Sequence, residues 1–171
     1  MSGVLPESVD VWRAALAGRL YEGRAPLARF RRLLPSLNDD DGDCAFRIVF
    51  SREASGQALV RVEAEAGLPL QCQRSLERFV LPVRIEQTLG LLRNEAEQAA
   101  LPPDVEPVLA PADGMLDPLD LVEDELILAL PVMPVAPGSL PVEQAFGDGI
   151  EPEPAQPNPF AALAALKSPR R

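Results

Sequence analysis

The sequence predicts an α+β fold: an antiparallel sheet, built as a meander, with flanking helices and a Pro-rich C-terminal tail. Three observations carry this. Residues 44–92 alternate apolar and polar side chains with a period of two. Apolar residues at helical spacing flank that region on both sides. Eight of the 19 prolines fall between Pro131 and Pro159, where large apolar residues are few.

Pro6 to Leu16 reads as a short amphipathic helix, with Val9, Trp12 and Leu16 near one face and Gly18 as its stop. Arg19 to Gly23 fits a short strand. Pro26 then opens a second helix, in which Leu27, Phe30, Leu33 and Leu34 form the apolar stripe and Arg29, Arg31 and Arg32 lie off it; Pro35 closes it. Asn38 to Asp43, "NDDDGD", has turn composition. It fails as a calcium loop, because the twelfth position counted from Asp39 is Phe50 rather than a glutamate.

"CAFRIVF" sets Phe46, Ile48 and Phe50 against Arg47, Val49 and Ser51. "ALVRVEAEA" sets Val60, Val62 and Ala64 against Arg61, Glu63 and Glu65, and "SGQ" joins the two runs as a hairpin. Phe79, Leu81, Val83 and Ile85 share one parity in the run that follows. Arg93 to Pro111 is acidic and proline-containing, the composition of a connector. Asp117 and Pro118 then form the cap and first residue of a helix carrying Leu119, Val122, Leu126 and Leu130 near one face and ending at Leu130, before Pro131. The expected organisation is one α+β domain over residues 1–131. A Pro-rich acidic linker follows over 132–171 and ends in a short helix capped by Asn158, with Phe160, Leu163 and Leu166 on one side.

Charge is unevenly placed. The chain carries a formal net charge of −10, yet residues 87–160 hold a single arginine, Arg93, against 14 acids, a net of −13. Bare phosphate is repelled by such a chain unless its basic residues are segregated, and residues 1–38 carry six arginines against three acids. There are two cysteines and no histidine, so no disulfide framework is implied. The longest uncharged run, Leu126 to Val142, is slightly short for a bilayer and is broken by four prolines. No apolar signal core opens the chain. A cytoplasmic protein with no membrane association and no cofactor is expected.

The stretch Asp120 to Pro134, "DLVEDELILALPVMP", has the most chemistry in it. Asp120, Glu123, Asp124 and Glu125 could hold Mg²⁺ in a metal-dependent nuclease. However, Asp120, Glu123 and Asp124 share one helical face while Glu125 points elsewhere, and acids in a first turn favour the positive end of the helix dipole. The acids therefore read as a charged surface for a basic partner. The apolar residues from Leu126 to Leu130 cover the whole circumference, so some of them must meet something besides one sheet.

Several motifs resemble one known family. "LQCQRSLERF" is similar to its strand-turn motif, usually Cys-x-x-Cys followed by an aromatic residue. "DLVEDELILALPVMP" matches its signature of an acidic triplet, an apolar run and a Pro-x-x-Pro close. "QPNPFAALAALK" and "RLYEGRAPLARFRRL" are similar to its C-terminal tail and its N-terminal strand and helix. The family is the bacterial large ribosomal RNA subunit accumulation protein family, YceD. The resemblance implies a role in the synthesis, processing or stability of large-subunit (23S) ribosomal RNA, and implies no catalytic residue. Where the motif has a second cysteine, this chain has Ser75. One thiol, a hydroxyl and no histidine do not make the four-ligand set of structural zinc, so no metal site is expected and Cys72 reads as a small buried side chain.

The expectation is a non-enzymatic factor in ribosome biogenesis. Its partner would be a ribosomal protein or assembly factor, met by Glu123, Asp124, Glu125 and Leu126 and by Phe160. The alternative is direct contact with large-subunit RNA through Arg31, Arg32, Arg74 and Arg78.

Overall fold

The computed structural model describes residues 5–103 and 105–140. In chain order the elements are β1 (Val9–Asp10), α1 (Val11–Ala17), β2 (Leu20–Pro26), β3 (Asp43–Arg52), β4 (Ala58–Gln71), β5 (Arg78–Leu92), β6 (Glu106–Leu109), β7 (Met115–Leu116) and α2 (Pro118–Leu128). Short 3₁₀ turns occupy Leu27–Arg29, Leu34–Ser36 and Glu95–Ala100. Five strands form one sheet in the order β2-β3-β4-β5-β6, and β1 with β7 makes a two-stranded ribbon.

The period-two alternation of the sequence becomes the two faces of the sheet. Ile48, Phe50, Val60 and Val62 are fully buried on the inner face. On the outer face the charged residues pair across strands: Arg47 with Glu22 and Glu63, Arg61 with Glu63 and Glu86, Arg84 with Glu65. Both signs interleave, so this face is a self-neutralised lattice. α1 packs on β3 and β4, and α2 packs on β4 and β5.

Asp10 caps α1 by accepting from the N–H groups of Trp12 and Arg13, both at 3.0 Å, and Gly18 ends it in the left-handed region at φ 59°. Gly18 acts as the stop the sequence predicts. The helix starts later than predicted, however, so its buried face is Val11, Ala14 and Ala15, and Leu16 is exposed.

Three further expectations are corrected. The sheet is not a purely antiparallel meander. β2 to β5 are antiparallel, but β6 adds parallel to the C-terminal part of β5, with Leu89 opposite Glu106 and Leu92 opposite Leu109. The Arg93 to Pro111 connector therefore contains a 3₁₀ turn and an edge strand, and Pro107 is tolerated because an edge strand leaves one side unpaired. The second predicted helix is a pair of 3₁₀ turns. With Pro26 and Pro35 bounding it, the segment is too short to propagate an α-helix, and the Phe30 carbonyl is shared between the N–H groups of Leu33 and Leu34. Leu27, Phe30 and Leu33 are buried nonetheless.

β6 pairs with Leu89–Leu92, so among the described residues no strand pairs with residues 78–88 of β5 on that side. Phe79, Leu81, Val83 and Ile85 are consequently only half-buried. Pro82, without an N–H, lies on this edge and weakens it as a template for another strand. The predicted C-terminal helix with Phe160 lies outside the described residues.

Gly90 sits where β5, β6 and the intervening loop converge. A Cβ there would lie 2.6 Å from Leu101 Cδ2 and 3.1 Å from Val105 Cγ1. Gly90→Ala is expected to destabilise the protein by about 1–3 kcal/mol through overpacking, seen as a lower urea midpoint at unchanged m-value.

Candidate functional site

α2 begins where the sequence places it. Asp117 accepts from the Leu119 N–H at 2.9 Å, Pro118 fills the first position, and Asp120 lies in the first turn. It buries Leu119, Leu121, Val122 and Leu126 against the sheet, and a fully buried leucine such as Leu126 contributes about 1.5–3 kcal/mol.

The acids of this helix have different roles. Glu123 is 5% exposed. Its Oε1 accepts from the backbone N–H groups of Arg32 at 2.6 Å and Leu33 at 3.1 Å, while Oε2 accepts from Arg32 Nε at 2.9 Å. The same guanidinium reaches Asp124 Oδ1 at 2.5 Å and the Asp120 carbonyl at 3.2 Å. One carboxylate thus fills orphan donors of the turn after Phe30, and one arginine clamps that turn to α2. Glu123 is spent inside the fold, and Leu126 is fully buried.

Glu125 faces a different neighbourhood. It borders a groove of about 290 Å³ floored by Leu89, Val108, Leu121, Ile127 and Leu128 and rimmed by Glu106, Asp124 and Glu125. Burial first, then the charges of Glu106 and Asp124, push its carboxyl above the ordinary range. No arginine pairs with Glu125 or Glu106 among the described residues. Leu128 at the end of the helix, and Val132 and Met133 beyond it, are exposed. Sequence reasoning marked Glu125 but missed Glu106 and the exposed Leu128. Glu106 belongs to the strand read as a connector, which hid its place at the groove.

The arginines also divide. Arg32 is committed to α2. Arg78 bonds Asp39 through Nε at 2.6 Å and Nη2 at 3.0 Å, with Asp41 at 3.8 Å; this pairing holds the Asp39 carboxyl well below the usual carboxylate range. Arg74 donates to the Ser139 carbonyl at 3.2 Å. Arg31 is exposed and pairs with no carboxylate among the described residues.

The β4–β5 hairpin tip holds Cys72. Its backbone N–H donates to the Glu77 carbonyl, and Leu76, at φ 60°, returns an N–H to the Cys72 carbonyl. The chain after α2 folds back onto this tip. Gln73 N–H donates to the Pro134 carbonyl at 2.8 Å, and the sulfur accepts N–H groups from Ala136 at 3.3 Å and Ser75 at 3.4 Å. Ser139 Oγ is buried without a partner of ordinary geometry, so the sulfur is what its hydroxyl can turn toward. The hydroxyls of Ser139 and Ser75, followed by the backbone donors, outweigh burial and lower the thiol to about 6. Cys44, buried beneath the sheet, is pushed up to about 11 by desolvation. Among the described residues, no three His, Cys, Asp or Glu side chains are arranged to hold a metal ion.

Two outcomes follow. Glu123→Ala is expected to cost about 3 kcal/mol by leaving buried N–H groups unpaired, whereas Glu125→Gln is expected to leave the melting temperature unchanged or raise it. The folded Glu125 holds its proton more tightly than the unfolded chain does, so its ionisation opposes folding as pH rises. Thermal melts of both variants at neutral pH check the contrast. Alkylation by iodoacetamide is expected at Cys72 rather than Cys44, with a rate that levels off above about pH 7. It should accelerate several-fold in Arg74→Ala, which loosens the strap covering the sulfur.

No helix among the described residues is long and apolar enough to cross a membrane. A family model described as large ribosomal RNA subunit accumulation protein YceD matches residues 60–167. The chain is 30% identical to the large ribosomal RNA subunit accumulation protein YceD of Haemophilus influenzae over 167 residues, covering 95% of this chain and 96% of the relative. No solved structure matches it. The matched span runs from β4 through α2, so the hairpin tip, the groove and the acidic helix all lie within it, and the chain belongs to the YceD family of large ribosomal RNA subunit accumulation proteins.

Proposed function

We propose that this protein is a non-enzymatic factor in ribosome biogenesis that supports large-subunit (23S) ribosomal RNA by docking a basic ribosomal protein or assembly factor along α2. Family membership supports the biological setting, since the relative's name ties it to large-subunit RNA accumulation. The observation that carries the mechanism is the groove. Its floor is apolar, its rim is acidic, and Glu106 and Glu125 have no cation among the described residues. An arginine or lysine suits such a site, because its aliphatic stem covers the floor while its head meets the rim. Val132 and Met133 extend the contact beyond the helix from Leu128. Phe160 would add a second apolar anchor.

The acids concentrated in residues 87–160 give the approach its steering, which weakens as salt rises. Asp124 contributes field while remaining bonded to Arg32. Glu123 and Leu126 act indirectly, by fixing the helix that bears the groove.

A second reading, direct RNA contact through the N-terminal half, is favoured by one observation: the Arg31 guanidinium is free of acids among the described residues. On this reading Arg32, Arg74 and Arg78 act mainly by holding the surface around it.

The experiment is a pull-down with the full chain at low and high salt, with proteins identified and ribonuclease included. Large-subunit proteins are expected at low salt, resistant to ribonuclease, and lost in the Glu106→Lys/Glu125→Lys double variant. Recovery of RNA alone, with every protein removed by ribonuclease, overturns the docking reading.

A further inference from the structure

The sheet end farthest along β5 carries a second concavity of opposite chemistry. A depression of about 400 Å³ lies between α1, the β3–β4 turn and the segment after β5, and is bordered by Trp12, Arg52, Gln57 and Arg93. That volume falls in the roughly 300–1,000 Å³ range of small-ligand clefts. Arg93 is the one arginine of the acidic stretch 87–160. Neither Arg52 nor Arg93 pairs with a carboxylate among the described residues, in contrast to Arg32, Arg47, Arg61, Arg78 and Arg84.

Both guanidinium groups are held in place by contacts that leave donors available. Arg52 Nε donates to the Gly56 carbonyl at 2.8 Å. The Arg93 guanidinium carbon lies 4.3 Å from the Trp12 ring centroid, a cation–π contact. The indole is itself fixed: a Cβ at Gly114, whose φ is 70°, would lie 2.8 Å from Trp12 Cδ1. The acid at the rim, Glu97, spends its oxygens on the Arg93 N–H and the Asn94 side-chain amide. Glu53, in the adjoining turn, accepts the Ser55 hydroxyl.

We propose that this depression binds a nucleotide of single-stranded RNA, with the phosphodiester between Arg52 and Arg93 and the base against the arginine–tryptophan stack. Guanidinium groups suit both halves of such a ligand, since they bond phosphate oxygens through a planar fork and stack on bases. The self-neutralised outer face of the sheet offers neither. The inference deepens the RNA-contact reading and rests on it, but moves the contact from the Arg31 region to the α1 end of the sheet. It is independent of protein docking at α2.

Trp12 is the only tryptophan, so the full chain reports on this site by its own fluorescence. Titration with short oligouridylate RNA is expected to change Trp12 emission. In the Arg52→Gln/Arg93→Gln double variant the affinity, read in parallel by gel shift, should fall roughly tenfold or more. The log–log salt slope should shrink by about 0.7, the loss of the one phosphodiester that the two guanidinium groups hold. Arg84→Gln, on the outer face, should bind as the parent does, and circular dichroism of the double variant should match the parent. No RNA binding by the parent overturns both the RNA-contact reading and this site. Binding by the parent that survives unchanged in the double variant but falls in Arg31→Gln overturns the site alone. An equal emission change with inorganic phosphate at the same concentration assigns the depression to a free anion and overturns the RNA ligand.

Discussion

The bond between the Glu123 carboxylate and the turn at Arg32 and Leu33 holds the two ends of this fold together. A carboxylate placed at 5% exposure is costly unless its lone pairs are filled. Here three donors fill them, and two come from backbone groups that would otherwise lack partners. The pair fixes the 3₁₀ turns over the distal part of β4, seats Val122 and Leu126 on the sheet, and so sets the orientation from which Glu125 and Leu128 meet the groove. Half of the Arg32 side chain remains in solvent, so its charge is less costly to hold than that of Glu123.

Two surfaces of opposite sign then sit on one scaffold, one beside α2 and one at the α1 end, while the outer face of the sheet pairs its own charges. At α2 the acids without a cation among the described residues, Glu106 and Glu125, border an apolar floor. At the α1 end arginines lie beside an indole. A chain with a net charge of −10 can present a cationic site only where arginines stand outside ion pairs, as Arg52 and Arg93 do among the described residues. With both proposed sites occupied, the protein would bring a basic protein and RNA near one another. The overall charge would meanwhile discourage indiscriminate adhesion to nucleic acid.

What could be read in the sequence was governed by how local its cause is. The alternation over β3, β4 and β5 was legible because each strand shows one face to the core and one to solvent. The stop of α1 and the cap of α2 were legible because Gly18 and Asp117 act on neighbours a few residues away, whereas the Asp10 cap was missed because the apolar pattern was read as starting at Pro6. The Leu27, Phe30 and Leu33 stripe identified buried side chains but not their backbone, since spacing of three serves a 3₁₀ turn as well as an α-helix. β6 was hidden by Glu106 and Pro107, which an edge strand tolerates. The acids of α2 stand out in the sequence, yet which of them is consumed internally depends on a residue 91 positions earlier. For the same reason the Trp12, Arg52 and Arg93 cluster, drawn from three separate segments, gave no local signal.

The β1–β7 ribbon has a consequence for synthesis. Val9 lies opposite Leu116, so the first strand has no partner until that residue has been made and has cleared the exit tunnel. The β2–β5 hairpins can pair as they emerge, because their contacts are close in sequence. α1 can dock once β3 and β4 are made, but β1, and the turn awaiting Glu123, lack these partners until nearly all of the described chain is available. Final closure is therefore a late event in translation, and a polypeptide stalled before α2 would expose Leu27, Phe30 and Leu33 to the folding machinery of the cell.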